Sequence, residues 1–234
     1  MRAFREIVAI AADRRGGIEA LEDALATSRS RSPAEIAATP DDRILAAMTR
    51  LVFQAGFSWQ VIDAKWDGFE AAFDGFDPVR CAAMSDDRFD ALLKDASIVR
   101  NGAKIRSVVA NASFILDLAA ESGSAARFFA GWPDNDYVGL LEVLKKRASR
   151  LGGDAGARFL RSIGKPGFIL TADVVAALVR EQVLSGPPGG RRDLAIVQDA
   201  FNRWSAESGR DLTAISRILA MSAGKIAAEV ASRH

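Results

Sequence analysis

Apolar residues recur along this chain with the spacing of α-helices, and turn-forming residues separate the runs. In the segment 41–56 one face of the predicted helix collects the apolar residues Leu45, Met48, Val52 and Ala55. Gly56 follows this face and predicts the end of the helix. Alternation of apolar and polar residues with period two, which is typical of strands, is scarce. The pattern therefore predicts an all-α protein.

The remaining predicted helices follow the same signals of capping residue, apolar stripe and stop. Ser32, Ser85 and Thr171 are the expected N-caps of helices that start directly after them. A helix from Ser58 to Trp66 is expected to continue through the phenylalanines that follow, as far as the turn at 77–78. The other predicted helices cover 3–13, 17–27, 104–123, a segment ending at 144, 154–163, 171–183, 193–208 and 212–223.

Composition is ordinary for a soluble globular protein, with 49% apolar and 26% charged residues. No apolar run approaches the roughly 20 residues that a membrane span requires, and the first residues are too charged for a secretory signal. We therefore expect a cytoplasmic protein without membrane contact. The net charge of +1 does not indicate a general polyanion binder. Binding to DNA would require the Lys and Arg residues to concentrate on one face.

The single cysteine, Cys81, and the single histidine, His234, exclude most metal and nucleophile chemistry. A zinc site takes about four Cys, His or carboxylate ligands, and a Ser/His/Asp device requires an internal histidine. Cys81 lies in PVRCAAM and is expected to be a buried apolar side chain. No glycine-rich nucleotide-binding motif occurs either. We expect no metal and no organic cofactor.

Three segments in a fixed order carry a family resemblance. Residues 52–66 read VFQAGFSWQVIDAKW, residues 69–84 read FEAAFDGFDPVRCAAM, and residues 98–112 read IVRNGAKIRSVVANA. This succession resembles the 3-methyladenine DNA glycosylase I family of the helix-hairpin-helix DNA glycosylase superfamily. The resemblance implies a two-lobed helical bundle of that type. It also implies one domain over 1–234, with divergent helices in 1–40, a glycosylase-like core in 41–183 and C-terminal helices in 184–234.

The QAGFSW segment supplies the expected base pocket. An enzyme that acts on a base in duplex DNA rotates the base out of the stack and holds it against aromatic side chains. Gly56 permits a sharp turn, and the resemblance then implies that Trp59 lines the pocket with Gln54 and Phe57 as neighbours. The alternative is that Trp59 packs in the core, as a tryptophan near a helix start often does.

The segment GKPGFIL, between two predicted helices, resembles the hairpin that grips a DNA phosphate. Gly164, Lys165 and Gly167 would supply flexibility and one charge, and Thr171 would cap the next helix. Pro166 removes one N–H donor. Arg100 and Lys104, in the RNGAKI segment, are the further candidate DNA contacts. The alternative is an ordinary turn between helices with a solvated basic face.

The chain departs from the family in three ways. Leu51 stands where the family has the carboxylate that hydrogen-bonds the methylated base, and residues 20–40 contain no tyrosine or tryptophan for the pocket. The zinc ligands of the family are also missing, so the chain is a diverged member, and its last helices are expected to close the fold by packing. The catalytic residue is unknown from the sequence. Asp173 and Asp193, near the hairpin helix, are weak candidates for stabilising a sugar cation.

Three functions remain open after this comparison. The first is a monofunctional, monomeric N-glycosylase that removes an alkylated purine of the 3-methyladenine type from double-stranded DNA by base flipping and hydrolysis. The second is a catalytically inactive DNA-binding protein on the same scaffold. The third is a helical interaction protein unrelated to DNA, which the near-zero net charge favours.

Overall fold

A computed structural model describes residues 1–223 and confirms the all-α prediction, since none of these residues lies in a β-strand. His234 and the end of the 184–234 segment lie outside the described residues. No helix within 1–223 combines the length and the apolarity needed to cross a membrane. The helices are α1 Phe4–Arg15, α2 Ile18–Ala26, α3 Pro33–Ala37, α4 Asp41–Gln54, α5 Trp59–Ala64, α6 Trp66–Ala72, α7 Pro78–Ala82, α8 Asp86–Leu92, α9 Gly102–Ser122, α10 Ala125–Gly131, α11 Tyr137–Arg147, α12 Asp154–Ser162, α13 Ala172–Arg180, α14 Arg191–Ser208 and α15 Leu212–Ala223, with 3-10 turns at Asp74–Phe76 and Asp134–Asp136.

The predicted N-caps are confirmed. Ser32 forms a capping box with Glu35, in which each side chain accepts the other residue's backbone N–H. Ser85 and Thr171 accept backbone N–H groups in the first turns of α8 and α13. These helices therefore begin where the sequence places a side-chain acceptor.

The expectation of one continuous helix after Ser58 is wrong. The chain leaves the helical conformation at Lys65, between α5 and α6, and the 3-10 turn that follows contains Gly75 at φ 65°. The break turns Trp66 onto two phenylalanine rings, stacking it on Phe69 at 5.6 Å and on Phe76 at 5.3 Å between centroids. Aromatic packing therefore overrides the local helical period. The short helices α7 and α10 were also not predicted; Asp77 and Ser124 cap them.

The chain forms two compact units, each built from separate stretches of sequence. One unit comprises Arg31–Trp132 and Gly139–Lys165. Within it α9 packs against α4, α7 and α10, and α12 packs against α4. The buried face of α4 contains Leu45, Met48 and Val52 as predicted, whereas Ala55 is exposed because it lies past the last helical residue.

The other unit comprises Met1–Ser30, Pro133–Val138 and the chain from Pro166 onwards. Within it α15 packs against α1, α13 and α14. The fully buried indole of Trp204 contacts the rings of Phe4 and Phe201. The last described helices therefore contribute a packed apolar core.

Candidate functional site

The turn after α4 is held by a lysine from a distant part of the chain. The ammonium of Lys104 donates hydrogen bonds to the carbonyl oxygens of Phe53 at 3.1 Å and of Ala55 at 2.5 Å. These carbonyls lie at the C-terminal end of α4, where helix carbonyls lack partners and carry partial negative charge. Gly56 follows at φ 79°, in the left-handed region that favours glycine. Lys104 thus fixes the direction in which the chain leaves α4.

Lys104, which the sequence analysis named as a candidate DNA contact, lies almost entirely below the protein surface. Its residue is only 6% exposed, and its ammonium also lies 4.5 Å from the centroid of the Phe57 ring. Burial lowers the pKa of Lys104 from its ordinary value, and the nearby charge of Arg150 lowers it further. The buried ammonium of Lys104 therefore caps the carbonyl groups of the turn and packs against the ring of Phe57.

Two aromatic rings extend from this turn into solvent. Trp59 is 60% exposed and Phe57 is 41% exposed, although both side chains are large and apolar. Trp59 is the first residue of α5, so the helix start carries its indole on the surface. Gln54, the last residue of α4, is buried. The structure therefore does not bury Trp59 in the core, and the buried Gln54 accepts the backbone N–H of Phe57 at 3.2 Å through its backbone carbonyl oxygen.

A network of charged and aromatic groups ties α5 and α6 to α4. The guanidinium of Arg50 lies 4.1 Å from the centroid of Trp66 and 3.6 Å from the carboxylate of Asp63. The indole N–H of Trp66 donates to Glu70 at 2.9 Å, and Arg43 donates to both oxygens of Glu70 at 2.8 and 3.0 Å. The hydrogen bond from Arg43 lowers the pKa of Glu70. These contacts hold the helix that carries Trp59.

Asp63 is a nearby acid that the sequence reasoning missed. It lies one helical turn after Trp59 on α5, so the two side chains project from the same helix face. Leu51, where the family resemblance implies a carboxylate, is half-buried on α4 and carries no polar atom on its side chain. The sequence does show that Asp63 lies four residues after Trp59, a spacing that could have indicated a shared helix face. Its ion pair with Arg50 required the structure.

The first part of the predicted phosphate-binding turn is buried within its unit. Gly164 adopts φ 86°, its carbonyl accepts the backbone N–H of Arg31 at 2.9 Å, and a side chain at this glycine would collide with that of Arg31. Lys165 is 3% exposed, and its ammonium donates to the carbonyl of Trp132 at 2.5 Å. The Lys165 ammonium is therefore buried on a backbone carbonyl of its own unit, whereas the sequence analysis expected it to contact a phosphate of DNA.

The rest of this turn is buried in the other unit. The N–H of Gly167 donates to the Thr213 hydroxyl at 3.1 Å, and the N–H of Ile169 donates to the Ser216 hydroxyl at 3.3 Å. A side chain at Gly167 would collide with the ring of Tyr137. The glycine therefore permits close packing, and its N–H has a protein partner. This differs from the prediction that it faces a phosphate.

The other candidate residues occupy helix starts and exposed positions. Thr171 uses its hydroxyl to accept the backbone N–H of Val174 at 3.3 Å, and Arg100 is exposed just before α9. Asp173 is exposed in the first turn of α13. Asp193 accepts the N–H of Gly189 at 2.7 Å and so holds the loop before α14. Asp193 therefore has a structural partner, whereas within residues 1–223 Asp173 has the favourable helix dipole and no hydrogen bond or ion pair.

Two features of the described residues concern clusters of ligand-type side chains and the thiol of Cys81. Within 1–223 no three His, Cys, Asp or Glu side chains lie together in an arrangement suited to a metal ion. Cys81 is buried as predicted, and burial raises the pKa of its thiol to about 12. A thiol with this pKa stays protonated near neutral pH and is a poor nucleophile.

Sequence comparisons relate this chain to one family. Residues 37–149 match the family model described as methyladenine glycosylase. DNA-3-methyladenine glycosylase 1 of Escherichia coli is 38% identical over 65 residues, which are 28% of this chain and 35% of that protein. The DNA-3-methyladenine glycosylase of Haemophilus influenzae is 35% identical over 63 residues, 27% of this chain and 34% of that protein. The chain thus spans about a third of the length of these curated relatives.

Solved structures of the same kind also match. A crystal structure of 3-methyladenine DNA glycosylase I has 26% identity and a TM-score of 0.47, covering 54% of this chain and 80% of that one. The Staphylococcus aureus 3-methyladenine DNA glycosylase I has 24% identity and a TM-score of 0.48, covering 53% of this chain and 76% of that one.

Proposed function

This chain belongs, through residues 37–149, to the methyladenine glycosylase family, and on that basis we propose that it is an N-glycosylase that removes alkylated purines from double-stranded DNA. The observation that carries the proposal is the position of Trp59. It lies inside the matched segment, starts a helix after a left-handed glycine turn and exposes 60% of its surface. An indole held in this way is suited to stacking on a base rotated out of the duplex.

The proposed chemistry suits a site with aromatic rings and few acids. A purine alkylated on a ring nitrogen carries positive charge, which the face of Trp59 attracts by about 0.5–2 kcal/mol. When the glycosidic bond breaks, the base leaves as a neutral molecule, so it needs no metal and no covalent nucleophile. Water then adds to the sugar carbon and loses a proton. The protein contributes to this reaction by holding the rotated base in one position in the site.

The short helix α5 carries one acid, Asp63, on the same face as Trp59. Its carboxylate pairs with Arg50 at 3.6 Å and remains half-exposed, so it is available to a bound nucleotide. A carboxylate at this place would stabilise positive charge on the sugar or the base. Asp63 is therefore our candidate acid in place of Asp173 and Asp193.

The direct test measures release of free base. The purified chain is incubated with alkylated duplex DNA, and liberated 3-methyladenine and 7-methylguanine are quantified by mass spectrometry, with the Escherichia coli relative as working control. We expect release by this chain and at least tenfold less by Trp59→Ala. An unchanged rate of base release by Trp59→Ala would contradict the proposed stacking of Trp59 on the rotated base. No release above background, next to an active control, would overturn the proposed activity.

One observation favours a second candidate, a DNA-binding protein without catalysis. Leu51 is half-buried and apolar where the family has its base-binding carboxylate. This candidate predicts binding to DNA that weakens with salt, with no release of base from any alkylated substrate. Failure to bind duplex DNA would instead favour a helical interaction protein.

We further propose that the chain acts in the cytoplasm and as a monomer. The reaction requires one aromatic surface and one DNA strand, and all of the groups named above belong to one chain. Light scattering with and without DNA measures the oligomeric state directly. A stable dimer would contradict this part of the proposal.

A further inference from the structure

Arg50, on α4, is held in place by an aromatic ring. Its guanidinium carbon lies 4.1 Å from the centroid of the Trp66 ring, and the N–H of that indole is fixed on Glu70 at 2.9 Å. Within residues 1–223 the guanidinium of Arg50 donates no hydrogen bond. The ring therefore fixes the position of this cation without using its N–H donors.

The carboxylate of Asp63 faces Arg50 without accepting a hydrogen bond from it. One carboxylate oxygen lies 3.6 Å from the guanidinium, which is too long for a hydrogen bond, and the Asp63 side chain is 53% exposed. The pair of Arg43 and Glu70 in the same unit differs, because both oxygens of Glu70 accept hydrogen bonds, at 2.8 and 3.0 Å. Among the described residues Asp63 therefore has a counter-charge, and its oxygens keep their acceptor sites for a ligand.

Asp63 lies beside the ring on which a base would stack. Trp59 and Asp63 are four residues apart on α5, and side chains with this spacing are neighbours on a helix, with Cβ atoms about 5–6 Å apart. Both residues are exposed, while Ile62 on the same helix is fully buried and anchors it. A carboxylate next to the indole is therefore suited to meet the edge of a base that lies on the ring.

An acceptor at this place can select among bases. An ionised carboxylate only accepts hydrogen bonds, and the exocyclic amino group of adenine donates them. In hypoxanthine a carbonyl oxygen replaces that amino group, so two acceptors would face each other and neither would find a donor. Leu51, where the family resemblance implies a carboxylate, has no acceptor on its side chain. Asp63 supplies from α5 the acceptor that Leu51 lacks on α4.

We propose that Asp63 accepts a hydrogen bond from the exocyclic amino group of the base that stacks on Trp59, and that Arg50 is the positioning residue of this carboxylate. The inference rests on the proposed function and names the group that selects alkylated adenine within it. Arg50 acts through Asp63, because the guanidinium held on Trp66 balances the charge of the carboxylate and restricts the directions that it takes.

The role of Asp63 is tested by binding of two free bases to the full chain, measured by isothermal titration calorimetry. 3-Methyladenine and 3-methylhypoxanthine share the ring and the methyl group and differ in the amino group and the carbonyl oxygen. We expect the wild-type chain to bind 3-methyladenine at least about tenfold more tightly, the effect of one hydrogen bond to a charged group. Asp63→Ala should bind both bases equally. A preference that persists in Asp63→Ala, or a wild-type chain that binds both bases equally or neither of them, would overturn the role of Asp63.

The role of Arg50 is tested by the kinetics of base release from alkylated duplex DNA. Arg50→Ala should lower kcat/KM for 3-methyladenine by about fivefold, the upper end for an exposed ion pair. In the Asp63→Ala background the same change should have no further effect, because Arg50 acts through that carboxylate. Arg50→Lys keeps the charge and should retain part of the activity. Arg88→Ala is the matched control and should leave kcat/KM unchanged, since Arg88 lies at the same 3.6 Å from an aspartate, Asp74, in the same unit.

The outcomes separate this inference from the proposed function. A merely structural role for Arg50 would lower activity equally with and without Asp63, and that result would overturn the positioning role. Release of 3-methyladenine at the wild-type rate by Asp63→Ala would overturn the hydrogen bond and leave the proposed function standing. A wild-type chain that releases no base would overturn the proposed function, whereas selective binding of free 3-methyladenine through Asp63 would still support the recognition of the amino group.

Discussion

The ammonium of Lys104 lies 2.5 Å from the carbonyl oxygen of Ala55, across 49 positions of sequence. It ties the middle of the family-matched segment to the turn that carries the exposed aromatic rings. A lysine is suited to this role because its donors reach more than one carbonyl, here those of Ala55 and Phe53. The direction of the turn therefore depends on a buried cation rather than on local sequence alone.

Replacing Lys104 should destabilise the protein. Lys104→Met keeps the length of the side chain but leaves the carbonyls of Phe53 and Ala55 without their donor. Losing charge-assisted hydrogen bonds at a buried site should lower the free energy of unfolding by about 2 kcal/mol. Urea unfolding measures this, with the exposed Lys94→Met as control. Equal midpoints for the two variants would contradict the capping role.

Replacing Trp59 should affect function and leave stability nearly unchanged. Its side chain is mostly exposed, so Trp59→Ala should change the free energy of unfolding by less than about 0.5 kcal/mol. Trp204→Ala, at a fully buried position, should cost about 3–5 kcal/mol. Thermal unfolding of both variants, read beside base release, separates the two roles. A large stability loss in Trp59→Ala would show that the ring is needed for packing.

Gly167 should not tolerate a side chain. A methyl group there would meet the Tyr137 ring, so Gly167→Ala should lower the free energy of unfolding by about 1–3 kcal/mol through overpacking. Gly186 has open space around its Cβ position, and Gly186→Ala is the matched control. Chemical denaturation compares the two. If both variants unfold at the same denaturant concentration, the close contact between Gly167 and Tyr137 does not affect the free energy of unfolding.

The ion pair of Glu70 should make stability depend on acid pH. The hydrogen bond from Arg43 lowers the folded-state pKa of Glu70 below its ordinary value of 4.5. The stabilisation is therefore present above pH 4.5 and is lost as the pH falls through the lower, folded-state pKa.

Glu70→Gln removes this titration. Its unfolding midpoint should fall less than that of the wild-type chain when the pH is lowered from neutral through this window. The exposed Glu19→Gln on α2 is the control and should follow the wild-type curve. Parallel curves for Glu70→Gln and the wild-type chain would contradict a role for the Arg43 pair in this dependence.

Restoring an acid at position 51 should increase activity on a cationic base. Leu51→Glu introduces a carboxylate where the family resemblance implies one, and a hydrogen bond to a charged partner is worth about 1.5–3 kcal/mol. Release of 3-methyladenine should therefore rise by roughly tenfold, with Leu51→Gln as the uncharged control. Equal rates for the wild-type chain and Leu51→Glu would mean that the pocket lies away from this position.

Much of the local structure follows from the sequence. Helical periodicity indicates the all-α class, and side-chain acceptors at Ser32, Ser85 and Thr171 mark helix starts, because both signals depend on neighbours within a few residues. The motif QAGFSW identifies the turn, and its order with the later segments identifies the family. Local patterns do not reveal that the chain breaks at Lys65, since the break depends on the rings that stack around Trp66.

The sequence by itself determined the helices, their caps and the family of the segment 37–149. Only the tertiary structure decided which polar groups face solvent. Lys104 and Lys165 both lie in segments that the sequence analysis assigned to DNA contacts. Each is buried, and each donates to a backbone carbonyl that is distant in sequence, that of Ala55 or that of Trp132. Arg150, which has no such partner within the described residues, is exposed. The physical reason is that the burial of a charge depends on which partners folding brings to it, and those partners are distant in sequence.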